Sequence, residues 1–192
     1  MPPPTLLSAA NLLTLSRTLM IVPLTWCMVQ SYWLAAAVLF TLAAVSDFYD
    51  GKLARKYNQA SPLGGLLDHG TDALLVTCGN WALAQLGLLP MLLVILIPCA
   101  FVQYMLDSKA LAGRSLVTSV IGRSNGVAYF VLLGFGIGAH TLIQLSQWLD
   151  LPLVVLWELI LQPGLTWAGW LLVATTVVSM LDRLQMLLRG RL

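Results

Sequence analysis

The sequence predicts an all-α, polytopic membrane helical bundle, and three observations carry that reading. Hydrophobic residues make up 59% of the 192-residue chain and charged residues only 9%, against about 25% charged in soluble domains. The mean hydropathy is +0.86. Several apolar runs approach the roughly 20 residues that a helix needs to cross about 30 Å of hydrocarbon.

Taken in chain order, six transmembrane helices are expected near 11–29, 32–55, 64–87, 89–107, 115–144 and 164–188. Arg17 interrupts the first, and the opening Met1-Pro-Pro-Pro-Thr5 lacks a basic n-region, so a secretory signal is not expected there. The second, third and fifth are longer than the bilayer is thick, and their ends project into water. In the fifth, Gly122-x3-Gly126 and Gly134-x3-Gly138 permit close helix approach. Segment 151–162 is apolar but too short to span, and Pro152 and Pro163 bound it, so it reads as a short outer interfacial or re-entrant helix. Cys27, Cys78 and Cys99 lie within apolar runs, without disulfide or metal spacing, and suit core packing. His140, near the outer end of the fifth span, reads as interfacial. Nothing marks a boundary, so a single domain over 1–192 is expected.

Orientation follows from the ten basic residues. With six spans and the N-terminus inside, Arg17, Lys52, Arg55, Lys56, Lys109, Arg114, Arg123, Arg183, Arg189 and Arg191 all fall on one side, which the positive-inside rule makes cytoplasmic. The opposite loops contain no Lys or Arg, and all seven Trp residues fall towards that outer side.

Against this apolar background, residues 47–72 hold four of the chain's eight acidic side chains. A carboxylate in hydrocarbon costs about 3 kcal/mol on insertion scales, which marks such a cluster as functional. At about 100° per residue, Asp47, Asp50, Gly51 and Ala54 share one helical sector with Arg55 at its edge. Gly64, Asp68 and Asp72 form a stripe on the next helix. Four carboxylates repel one another unless cations lie between them, and hard oxygen ligands select Mg²⁺ or Mn²⁺. The small residues leave room for a ligand, and Arg55 offers a forked donor suited to phosphate.

The pattern Asp47-x2-Asp50-Gly51-x2-Ala54-Arg55-x8-Gly64-x3-Asp68-x3-Asp72 resembles, at all eight fixed positions, the signature of the CDP-alcohol phosphotransferases. The resemblance implies a transfer in which an acceptor hydroxyl attacks the β-phosphorus of a CDP-linked donor and expels CMP. It also implies that Asp47, Asp50, Asp68 and Asp72 hold metal, as a pair of Mg²⁺ or Mn²⁺ ions, with Asp72 also the catalytic general base. Gly51, Ala54, Arg55 and Gly64 would line the nucleotide site. A two-ion arrangement stabilises charge on both the attacking and the leaving oxygens.

Two resemblances bear on the alcohol. Asn11-x2-Thr14-x2-Arg17 is similar to the opening of bacterial phosphatidylglycerophosphate synthases and eukaryotic-type cardiolipin synthases. His69 and Ala73 stand where those synthases usually carry Pro and Lys, and the stretch from Asp50 through Ser61-Pro-Leu-Gly64 to Asp72 is similar to choline and ethanolamine phosphotransferases. Lys109, Arg114 and Arg123 surround the cytoplasmic turn between spans four and five, and a phosphorylated acceptor such as glycerol 3-phosphate needs such cations. The favoured reading is therefore a CDP-diacylglycerol donor and a small polar phosphorylated acceptor, in a bacterial inner membrane with the site facing the cytoplasm. The alternatives are a choline/ethanolamine-type enzyme with a CDP-alcohol donor and lipid acceptor, and a cation channel or transporter using the Asp cluster. Membrane lipids and a second copy, in a homodimer, are expected partners; nucleic acid is not.

Overall fold

The computed structural model describes residues 9–56, 62–107, 120–149 and 152–188. All regular structure among them is helical: α1 (Ala9–Val29), α2 (Trp33–Lys56), α3 (Pro62–Gln85), α4 (Met91–Asp107), α5 (Val120–Trp148), α6 (Leu153–Leu156) and α7 (Gln162–Leu188), with a π-helical turn at Trp157–Leu161. The expected helices are present, each within a few residues of its predicted limits. Residues 115–119, assigned to the start of the fifth span, lie outside the described residues.

The short apolar segment after α5 differs from expectation. It is helical, but it runs through the π-turn into α7 as one continuous helical stretch, Leu153–Leu188. Pro163 has no N–H for a regular i→i−4 bond and its ring crowds the preceding turn. The π-turn absorbs this: the Gln162 amide donates to the Trp157 carbonyl, five residues back. The proline that suggested a boundary is thus accommodated inside a helix.

Two turns show how the hairpins close. After α1, Ser31 adopts a positive φ of 60°, and the Tyr32 amide reaches back to the Cys27 carbonyl at 2.8 Å. After α3, Gly87 takes φ 73°, with the Leu88 amide on the Leu83 carbonyl at 3.1 Å. Both are six-to-one closures that satisfy carbonyls at a helix end. Glycine bears the left-handed conformation without a Cβ penalty; serine bears it at some cost.

One core joins six helices. Leu24 and Met28 (α1), Ala36 (α2), Leu75 and Leu83 (α3), Leu93 and Ile97 (α4), Leu133 and Ile137 (α5) and Leu165 (α7) are all buried in it. α1 packs along α2 and α3, α4 lies between α3 and α7, and α5 closes the bundle against α2, α3 and α7. Close approach depends on one of the expected glycines, Gly134, and on others that the sequence reading did not single out. A Cβ at Gly79 would lie 2.5 Å from Leu133, and one at Gly136 2.6 Å from Leu83. Of the four glycines singled out in the sequence, Gly134 backs Phe40 at 3.0 Å, while Gly126 and Gly138 have nothing within 4 Å.

The outward faces remain apolar. Leu19, Val38, Leu74, Ile95, Val131 and Leu171 are exposed on α1, α2, α3, α4, α5 and α7 respectively. Ile121–Trp148 and Leu153–Leu188 are long and apolar enough to cross a membrane, and Leu13–Val29, Trp33–Tyr49 and Met91–Leu106 are shorter apolar stretches. Three details refine the sequence reading. Cys27 is buried, but Cys99 is exposed on α4. Trp33 and Trp157 are buried rather than part of a surface belt. Between them sits His140, stacked on Trp33 at 4.1 Å and edge-on to Trp157 at 4.5 Å, with Nδ1 on the Gly136 carbonyl. It packs helices together there.

Candidate active site

The aspartate pattern folds onto two consecutive helices, α2 and α3, both of which pack against α1. Asp47 and Asp50 lie one turn apart on α2, and Asp68 and Asp72 lie one turn apart on α3, with His69 next to Asp68. A third helix supplies the residue around which they gather. Arg17 on α1 has no solvent exposure. Its Nη1 donates to Asp47 Oδ1, and its Nη2 donates to Asp68 Oδ1 at 2.5 Å and lies 3.5 Å from Asp72 Oδ1. Beside it Thr18 and Thr71 hydroxyls meet at 2.9 Å and tie α1 to α3.

The layering has chemical consequences. The guanidinium lies beneath, and the carboxylates it holds keep side-chain exposures of 49%, 34% and 39% for Asp47, Asp68 and Asp72. Asp68 turns Oδ1 to Arg17 and holds Oδ2 3.9 Å from His69 Nδ1. Asp68, His69 and Asp72 each offer a ligand atom within 4.8 Å of the others, a group that could hold a metal ion. The two carboxylates suit a hard divalent cation, whereas the imidazole is a nitrogen donor of the borderline kind.

Asp50, Gly51, Ala54 and Arg55 lie on the last turns of α2, and their side chains fall outside the described residues. Gly64 lies in the first turn of α3. Lys109 and Arg114 fall outside the described residues altogether.

Arg123 is brought to the site. A cavity of about 370 Å³ is lined by Arg17, Asp47, His69 and Asp72 and by Arg123, Arg183 and Tyr104 from α5, α7 and α4. Apolar side chains, among them Leu75, Phe101 and Phe130, line much of the rest. Arg183, which the sequence reading left out of the site, is buried and carries its guanidinium 4.9 Å from the Tyr104 ring centre. A guanidinium over an aromatic face is attracted by the ring quadrupole. His69 stacks near the same ring, with centroids 6.0 Å apart.

Arg17 and Arg183 are the two arginines of the site that the sequence reading missed; His69 and Tyr104 also line it without having been assigned a role. A signal existed for each arginine. Arg17 interrupts an apolar stretch, and Thr176, Ser179 and Arg183 form a buried polar stripe at helical spacing on α7. Neither signal says which partner a cation meets.

Among the described residues, a helical bundle brings Asp47, Asp68 and Asp72 together on Arg17, beside a cation-bearing cavity. The chain belongs to the CDP-alcohol phosphatidyltransferase family, whose pattern it matches over residues 7–180. A 42-residue stretch is 52% identical to the CDP-diacylglycerol–glycerol-3-phosphate 3-phosphatidyltransferase of Rickettsia bellii (strain RML369-C), covering 22% of this chain and 23% of that protein. Over 74 residues it is 40% identical to the protein of the same name from Escherichia coli (strain K12), covering 34% of this chain and 38% of the relative. The chain therefore matches less than two fifths of the length of either relative.

Proposed function

We propose that this protein transfers a phosphatidyl group from CDP-diacylglycerol to a hydroxyl of glycerol 3-phosphate, releasing CMP. The observation that carries this reading is the shared cavity: Asp47 and Asp72 line the same space as Arg123 and Arg183. A phosphorylated acceptor needs both groups within one cavity, the carboxylates where its hydroxyl reacts and the guanidiniums where its phosphate is held. The names of the bacterial relatives support the same assignment.

In this reading Asp47, Asp50, Asp68 and Asp72 would hold two Mg²⁺ or Mn²⁺ ions, which when bound would neutralise charge on the diphosphate and on the leaving oxygen. Asp72 takes the proton from the acceptor hydroxyl as the new P–O bond forms. The acceptor oxygen bonds to the β-phosphorus, the bond to the CMP oxygen breaks, and CMP leaves with that electron pair. Arg17 holds Asp47 and Asp68 from beneath, so that their outer oxygens keep a fixed orientation. Gly51, Ala54, Arg55 and Gly64 line the cytidine diphosphate site, and Lys109 and Arg114 assist Arg123 at the acceptor phosphate.

We place the whole chain, as one domain, in a bacterial inner membrane with six spans and the site facing the cytoplasm. The exposed apolar side chains on every long helix support burial in lipid, and the basic residues support the orientation. A homodimer belongs to the same reading; crosslinking in native membranes that captures only monomer removes it.

The test is CMP release by purified protein given CDP-diacylglycerol, Mg²⁺ and a panel of acceptors. Glycerol 3-phosphate is expected to be the best of them. A preference for choline, or for a diacylglycerol with a CDP-alcohol donor, replaces this reading with the choline/ethanolamine type.

A further inference from the structure

His69 follows Asp68 directly on α3, and both side chains are partly exposed. One ligand atom from each of Asp68, His69 and Asp72 lies within 4.8 Å of the other two. Asp68 commits Oδ1 to Arg17 and holds Oδ2 3.9 Å from His69 Nδ1. Two ligands bonded at about 2.1 Å to one ion stand about 3.0 Å apart when cis and about 4.2 Å apart when trans. Small side-chain rotations therefore close these three donors on a common ion.

The helix supports the same grouping. His69 and Asp72 are three residues apart, a spacing that puts two side chains on one helical face. A carboxylate and a histidine at this i, i+3 spacing hold the metal pairs of di-iron and di-manganese helical bundles. Tyr104 from α4 backs the imidazole, its ring plane 26° from that of His69.

The nitrogen changes what the site selects. Mg²⁺ prefers oxygen ligands and gains little from an imidazole. First-row transition ions accept nitrogen, and their affinity for mixed nitrogen–oxygen sites rises along the series that begins with Mn²⁺. Aspartates alone therefore separate Mn²⁺ from Mg²⁺ less well than aspartates with one imidazole.

Resting on the metal-dependent reading above, we propose that His69 is a nitrogen ligand to one of the metal ions and sets the metal preference of the site. The ligand class is a first-row transition cation, taken in preference to Mg²⁺. His69 binds through a ring nitrogen, beside one carboxylate oxygen each from Asp68 and Asp72. It determines which ion is held and takes no part in the bond-forming step.

The test uses the full chain, free of any affinity tag and stripped of metal, with Mn²⁺ as the probe. The chain has only two histidines, and His140 is packed between Trp33 and Trp157 on α5. An imidazole ¹⁴N coupling to bound Mn²⁺, read by pulsed electron paramagnetic resonance, therefore reports on His69. The coupling is expected in the wild type and absent from His69→Ala. Titration of Mn²⁺ with Mg²⁺ as competitor should show Mn²⁺ affinity falling about tenfold or more in His69→Ala, with Mg²⁺ affinity little changed. His69→Asp, which exchanges nitrogen for oxygen, should bind both ions without restoring the preference. Mn²⁺ bound to the wild type without imidazole coupling, or an Mn²⁺-to-Mg²⁺ affinity ratio unchanged in His69→Ala, overturns the role of His69 and leaves the aspartate site standing. Failure of the wild type to bind Mn²⁺ at all overturns both.

Discussion

The buried guanidinium of Arg17 donates to Asp68 Oδ1 at 2.5 Å, across 51 residues of sequence. Together with its bond to Asp47, this contact makes one α1 side chain the common partner of the two acidic helices. Its removal would take from Asp47 and Asp68 the cation they share. Breaking a fully buried pair costs about 3–5 kcal/mol; here the carboxylates are a third to a half exposed, so a smaller loss is expected. Arg17→Met should therefore lower the melting temperature in EDTA and recover part of the difference on adding Mg²⁺, since a ligand that binds only the folded state stabilises it. Arg17→Lys should fall between, because an ammonium lacks the planar fork that meets two carboxylates at once. Unchanged melting of Arg17→Met in EDTA would show that the aspartates do not depend on it.

Chelation addresses the metal directly. Asp68, His69 and Asp72 present a donor group for a divalent ion, so EDTA should abolish CMP release and Mg²⁺ or Mn²⁺ should restore it. Full activity of a chelated preparation would remove the mechanism proposed above.

Two aspartate substitutions separate holding a metal from taking a proton. Asp50→Asn should weaken metal affinity and rate together, because a neutral amide is a poor ligand for a hard cation. Asp72→Asn should also remove the general base, a loss of about 10²–10⁴ in rate. Wild-type turnover by Asp72→Asn would move the base elsewhere and leave the metal ligands standing.

Arg123 lines the cavity from α5, and its replacement should be felt by the acceptor alone. A charge-assisted hydrogen bond to phosphate contributes about 1.5–3 kcal/mol. Arg123→Ala should raise the acceptor KM correspondingly, by about ten- to 150-fold, and leave the KM of the CDP-linked donor near its wild-type value. Unchanged acceptor kinetics would remove Arg123 from the acceptor site.

Two glycines give a test of packing that is independent of chemistry. A Cβ at Gly136 would meet Leu83 Cδ1 at 2.6 Å, whereas one at Gly169 would meet Pro90 Cδ at 2.7 Å. Leucine can change rotamer; a proline ring cannot. Gly169→Ala should therefore destabilise more than Gly136→Ala, within the range of about 1–3 kcal/mol typical of overpacking. Thermal unfolding of the two variants decides the order.

The sequence by itself determined the helices and the faces on which the aspartates lie. Both are local properties: apolar runs of bilayer length set the helical stretches, and steps of three and four residues turn Asp47 with Asp50, and Asp68 with Asp72, to a common side. It also placed Arg123 near the site, through its position in the turn and helix that follow α4. Only the tertiary structure decided which cation the aspartates meet. Arg17 is 30 residues from Asp47 and 51 from Asp68, and their meeting depends on how closely α1 packs along α2 and α3. The cavity is likewise assembled from several helices, so that Arg183, Asn125, Tyr104 and Gln103 acquire a shared environment that none of their own helices defines. The packing that brings them together rests on Gly79 against Leu133 and Gly136 against Leu83. Those fits depend on side-chain shape across helices, which local periodicity does not encode. Pro163 shows the same division: its missing N–H signals a helix boundary, but the π-turn before it supplies an alternative bond and carries the helix through.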